Sequence, residues 1–270
     1  MTNQLTIILS LNYAKINLIR KTEVKPLAAK QGKIKGITFH SKELNEDLEL
    51  LLYLPATFSH LYKYSVLIAQ DGKDYFQIGK IGRVADELIE RNDIENIIII
   101  GVPYTSVDDR WDKYHPDGQK HVAYKRFLAN ELVPFIDSEF PTYQMGMSRA
   151  LIGDSLAATV SLLTALDYPN TFGKIALHSP LVDESVLTAV DHFEYPHLLQ
   201  IYHTIGENER KVQTSQGGVM DFVEPNQELN LLIEGKGFPY FYEENNGDHT
   251  WRTWQPDIKR TLSWLFQSSL

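Results

Sequence analysis

Four consecutive isoleucines, Ile97 to Ile100, running into Gly101-Val102, constrain this chain more than any other stretch. β-Branched side chains are stiff and crowd a helix, and an unbroken apolar run lacks the alternation of a half-buried strand, so this segment reads as a strand covered on both faces. Such a strand belongs inside a largely parallel sheet. The rest of the sequence makes the same demand. Apolar runs of strand length fall at residues 36–40, 48–54, 65–69, 151–153, 174–177, 198–205 and 238–242, with Pro55 closing the second. The first two can form an antiparallel hairpin that opens the sheet. Helix-period segments separate the others at 78–91, 120–140, 156–166, 219–234 and 251–266. In the second, Phe127, Leu128, Leu132, Phe135 and Ile136 share one face. The expectation is an α/β fold with a mostly parallel central sheet of about eight strands and helices on both faces.

At 270 residues and 43% hydrophobic content, one extended core in a single domain over residues 21–270 is the economical reading. Residues 1–20 read as an arm or strand, with the apolar stretch 5–11 too short to span a bilayer and without the flanks of a signal peptide. The 26 basic and 35 acidic residues give a formal charge of −9, which disfavours partnership with nucleic acid or an anionic membrane. There is no cysteine, so disulfides, thiolate nucleophiles and cysteine metal sites are excluded, and a reducing cytoplasm suits the chain. The histidines His115, His121, His192 and His197 lack ligand spacing, so neither a metal nor another cofactor is expected. The oligomeric state stays open, a homodimer being one option.

The chemistry points to residues 151–157, Leu-Ile-Gly-Asp-Ser-Leu-Ala. Ser155 has a small residue two before and two after it, at the point where a strand pattern gives way to a helix pattern, which is the arrangement of a nucleophile elbow. A hydroxyl needs a base, and His249 follows the last predicted strand and the turn Asn245-Asn246-Gly247-Asp248. The third member must be a carboxylate between them in the chain. Glu209, three beyond Gly206, is the first choice, Glu207 the second and Asp183 the third. Two backbone amides complete the set as an oxyanion hole: Leu156, directly after the serine, and Lys73 in the turn Asp71-Gly72-Lys73-Asp74. Tyr104, Arg110 and Tyr114, on the same edge of the sheet, are candidate pocket residues, and Trp251 at the start of the last helix joins them.

With these positions assembled, the chain resembles the putative esterase (esterase D) family of α/β-hydrolases, and most nearly its enterochelin-esterase-like branch. The resemblance runs through Leu51-Leu52-Tyr53-Leu54-Pro55, the Asp71-Gly72 turn with Tyr75-Phe76, and Ile99-Ile100-Gly101-Val102 followed by Arg110. It continues through residues 131–137, the elbow, Gly206 with Glu209, and Gly247-Asp248-His249-Thr250-Trp251 with Trp254. It implies an α/β-hydrolase fold and a serine hydrolase with Ser155, Glu209 and His249 as triad and the amides of Lys73 and Leu156 as oxyanion hole. Ala157 and Ala158 stand where the family commonly has glycine, which narrows the elbow.

The expected function is a serine carboxylic-ester hydrolase acting through an acyl-enzyme on short acyl or siderophore-type esters. A non-catalytic binding protein on the same scaffold is the alternative from another class, and transfer to an acceptor other than water is a second. Fold alone does not separate them.

Overall fold

The computed structural model describes residues 31–268, and the expected arm at residues 5–11 lies outside them. Eight strands form one sheet in the order β1-β2-β4-β3-β5-β6-β7-β10. They are β1 (Lys33–Ser41), β2 (Glu46–Leu54), β3 (Ser65–Gln70), β4 (Ile97–Val102), β5 (Arg149–Asp154), β6 (Lys174–His178), β7 (Gln200–Gly206) and β10 (Tyr240–Asn245). The first two pair antiparallel as a hairpin, β2 pairs antiparallel with β4, and every later pairing is parallel. The expected strand count and hairpin both hold. Two-residue strands β8 (Val212–Gln213) and β9 (Val219–Met220) form a separate small hairpin.

The isoleucine run sits in β4, all six residues of which are buried. Ile97 and Ile99 enter one apolar cluster and Ile98 and Ile100 the other, because successive side chains on a strand point to opposite faces. One face is covered by α1 (Gly72–Gln77), α2 (Ile81–Glu90) and α9 (Trp251–Phe266). The other carries α3 (Val107–Tyr114), α4 (His121–Arg126), α5 (Val133–Glu139), α6 (Leu156–Asp167), α7 (Glu184–His192) and α8 (Val223–Lys236). The turn of π-helix at Phe127–Leu132 joins α4 to α5, so the expected helix over 120–140 is continuous but locally underwound. Pro134 accounts for it: a proline lacks the N–H and crowds the carbonyl four residues back, and a π turn absorbs that clash.

Three expectations shift. The helix expected from residue 219 begins at Val223, because Gly217 and Gly218, at φ +85° and +102°, turn the chain into the β8–β9 hairpin first. The helix expected from residue 78 begins at Ile81, and α1, α3 and α7 had not been expected. Among the described residues no helix is long and apolar enough to cross a membrane. The parallel strands send the turns after β3, β5, β6, β7 and β10 to the same edge of the sheet, which is where the candidate site lies.

Candidate active site

The turn from β5 into α6 holds Ser155 at φ +52°, ψ −126°, a conformation that costs a non-glycine residue about 1–3 kcal/mol and persists only where the surroundings impose it. The imposition is visible. Ser155 donates its amide to His178 O at 2.8 Å, and a side chain at Gly153 would meet the Ala157 backbone at 2.3 Å, so only glycine lets strand and helix close this tightly. Ala157 and Ala158 are fully buried in α6, and the elbow forms with both methyls in place.

Ser155, His249 and Glu209 stand in one hydrogen-bonded line. His249 Nε2 lies 2.9 Å from Ser155 Oγ, and Nδ1 lies 2.5 Å from Glu209 Oε2. Because Glu209 can only accept, Nδ1 carries the proton and Nε2 is left to accept from the serine. Glu209 is fully buried, and its other oxygen receives Ser179 Oγ at 2.7 Å and the amide of Gly206 at 2.8 Å. Gly206 has to be glycine: a Cβ there would meet Gly247 O at 2.5 Å and Glu209 Oε1 at 2.7 Å. The imidazole packs against Phe222, with ring centroids 4.3 Å apart, and edge-on against Trp254 at 5.0 Å. Thr250 caps the following helix by accepting from Arg252 N, which fixes where the histidine loop ends.

Neither alternative acid is hydrogen-bonded to His249. Glu207 is exposed, and Asp183 spends its carboxylate accepting from Val186 N at 3.0 Å as the cap of α7. The register that sets Ala69 opposite Ile152 brings the turn after β3 beside the elbow. Lys73 and Leu156 both lie in the first turn of a helix, α1 and α6, where amides have no acceptor within the helix. Gly72 approaches β4 so closely that a Cβ would meet the Gly101 backbone at 2.4 Å, which explains the Asp-Gly turn. The Lys73 side chain points to solvent.

A cavity of about 390 Å³ opens in front of Ser155, walled by Trp111, Leu156, Leu181, Met220, Phe222 and Trp254 among others, with residues 212–217 of the small hairpin along one side. Of the four expected pocket residues, only Arg110 is in this wall. Its guanidinium is already engaged, donating through Nε and Nη2 to Asp71, with Nη2 2.6 Å from Oδ2. Tyr114 is buried beneath, accepting from Asp71 N at 3.2 Å. Tyr104 is outside the cavity, with its hydroxyl near Asp74, and Trp251 packs edge-on to Tyr75 at 4.9 Å instead. The sequence reading missed Trp111, which stacks on His115 at 3.8 Å, as well as Phe222, Ser179 and Asp154. Trp254 packs on the imidazole, and its indole N–H donates to Ser179 Oγ at 3.0 Å.

Residues 41–265 match the family model described as "Putative esterase". The chain belongs to that family. Membership makes it an ester hydrolase by class. It is similar to "Uncharacterized protein YjcH" of Bacillus subtilis (strain 168), 55% identical over 236 residues that cover 87% of this chain and 98% of that one. It is also similar to the "Acetyl esterase" of Caldicellulosiruptor saccharolyticus, 23% identical over 263 residues, covering 87% and 99%. Among solved structures it resembles the enterochelin esterase of Shigella flexneri with a TM-score of 0.74 at 16% identity, over 89% of this chain and 61% of that one. The expected esterase family and its fold both follow.

Proposed function

We propose that this esterase-family chain is a serine carboxylic-ester hydrolase working through an acyl-enzyme on short acyl or siderophore-type esters. The observation that carries the reading is the relay Glu209 Oε2, His249 Nδ1, His249 Nε2, Ser155 Oγ, with links of 2.5 and 2.9 Å ending on a serine at positive φ. In the proposed cycle His249 takes the Ser155 proton as Oγ bonds to the ester carbonyl carbon. The resulting oxyanion accepts hydrogen bonds from the amides of Leu156 and Lys73. Collapse breaks the bond to the alcohol oxygen, which leaves with the proton from His249. Water then gives its proton to His249 and attacks the acyl-enzyme, and the acid departs as Ser155 recovers its hydrogen. Glu209 keeps the imidazole in the required tautomer and balances its charge.

A 390 Å³ cavity with aromatic and aliphatic side chains along part of its wall suits a small acyl or aryl group, at the lower end of the range for ligand pockets. A cytoplasmic location belongs to the same proposal. The test is p-nitrophenyl acetate and butyrate turnover by the native chain and by Ser155→Ala. The expected loss is about 10⁴-fold or more in kcat, and covalent labelling by a fluorophosphonate should vanish in the variant. Equal rates would remove the assignment.

A further inference from the structure

Several polar groups that the proposed reaction does not use border the cavity in front of Ser155, and one of them has a buried oxygen with no hydrogen-bond partner. Asp154, the residue before the serine, lines this cavity with 6% of its surface exposed, and its Oδ1 is shut from solvent with no hydrogen-bond partner. A buried carboxylate without donors is costly, so such a group is either paired with a cation or carries a proton. The neighbouring cation is Arg110, and it is committed. Its fork grips both oxygens of Asp71 at 2.6–3.0 Å, and to Asp154 it offers only a 3.3 Å contact from Nη2 to the backbone carbonyl.

Two buried carboxyls, Asp71 and Asp154, therefore share one guanidinium, with half-buried Asp74 adding negative charge from the same turn. The bidentate partner keeps the cation. Burial first, and the Asp71 charge next, push the Asp154 carboxyl well above the usual carboxylate range, with Arg110 offsetting only part of this. On the other walls stand His115 just past the end of α3, Asp183 at the start of α7, and His249. A protonated acid in that setting is a hydrogen-bond donor in search of an acceptor.

We propose that Asp154 is a substrate-binding residue whose carboxyl O–H donates a hydrogen bond to a neutral oxygen acceptor carried by the acyl part of the ester. This deepens the esterase reading and rests on it. The substrate class it selects is esters of oxygen-bearing acids, over plain alkanoates of the same shape and over esters carrying an ammonium group, which an ionised Asp154 would prefer.

The experiment compares isosteric pairs: p-nitrophenyl methoxyacetate against butyrate, and 3-methoxypropionate against valerate, with p-nitrophenyl β-alaninate as the cationic probe. The readout is the ratio of kcat/KM within each pair, because intrinsic ester reactivity cancels when variants are compared with the native chain. In at least one pair Asp154→Leu is expected to lower the native ratio about tenfold, the worth of one buried hydrogen bond of roughly 1.4 kcal/mol, while Asp154→Asn, which keeps a donor, retains it. An unchanged ratio in Asp154→Leu, loss of the ratio in Asp154→Asn, or a native preference for the β-alaninate overturns the proposal. Infrared difference spectra at neutral pH give a check that holds even if Asp154→Leu does not fold. A protonated-carboxyl stretch present in the native chain and absent from Asp154→Asn is expected, and its absence from the native chain is equally fatal. Failure of the esterase reading itself shows separately, as no turnover of any ester and no fluorophosphonate label on Ser155, and it takes this proposal with it.

Discussion

Ser179 donates its hydroxyl to Glu209 Oε1 over 2.7 Å from a backbone held at φ +49°. The hydroxyl is fixed from behind by Trp254 Nε1 at 3.0 Å, so a residue 30 positions before the acid and one 45 positions after it set the orientation of its carboxylate. Removing this donor from a fully buried carboxylate should cost activity more than binding. Ser179→Ala is expected to lower kcat about 10- to 100-fold with KM little changed, the range seen when groups orienting a catalytic shell are lost. Ser179→Gly separates the two roles: it relieves the positive φ yet should lose the same activity. Steady-state kinetics and urea unfolding of both variants check this.

The choice between the neighbouring glutamates is as sharp. Glu209 is fully buried on His249, whereas Glu207 is exposed and engages the fold through its backbone amide, which donates to Asn245 O at 2.8 Å. Glu209→Gln should cost about 10⁴-fold in kcat, because an amide can present its NH₂ to Nδ1 and stabilise the wrong tautomer. Glu207→Gln should stay within about twofold, as for a surface substitution. Loss of activity in Glu207→Gln alone would reverse the assignment.

What the sequence made legible here is what short segments encode. The isoleucine run announces a doubly covered strand by itself, and Ser155, Glu209 and His249 each follow a strand whose end lies at a common edge, so chain order alone brought them into view. Partners drawn from distant segments were out of reach. Asp71 claims Arg110 across 39 residues, which removes from the list of free pocket groups a side chain whose position suggested binding. Tyr114 is a candidate pocket residue by its place at the sheet edge, but α3 turns it under Asp71. The β8–β9 hairpin has two residues per strand, too few to show any periodicity, and yet it supplies part of the cavity wall.

The elbow's alanines lead to a prediction opposite to the one their departure from the family pattern suggests. Ala157 is fully buried within the first turn of α6, so its methyl is packed. Ala157→Gly is expected to destabilise the chain by about 1–2 kcal/mol, from helix propensity and a lost buried methyl, without raising turnover. Gly153→Ala, whose methyl would meet the Ala157 backbone at 2.3 Å, should instead abolish activity by forcing strand and helix apart. Thermal unfolding and ester turnover on the two variants distinguish a glycine needed for closure from an alanine that is already accommodated.

A buried histidine away from the reaction should set the acid limit of the fold. His203 is fully buried, with Nε2 2.7 Å from Asn226 Oδ1 and Nδ1 2.7 Å from Tyr240 Oη. Asn226 uses its amide nitrogen to donate to Pro180 O and Phe222 O, so Oδ1 accepts, Nε2 carries the proton and the Tyr240 hydroxyl donates to Nδ1. Burial pulls the pKa of this imidazole down to about 4, from the 6.5 it has when unfolded. A folded pKa below the unfolded one means that stability is fully present above pH 6.5 and is lost as pH falls toward 4, because the unfolded chain binds a proton that the native one refuses. The slope is about 1.4 kcal/mol per pH unit, for a total on the order of 3 kcal/mol from this residue. Urea titrations at pH 7, 6, 5 and 4 should show that fall in the native chain and a shallower one in His203→Gln, and parallel curves would mean that another group governs the acid limit.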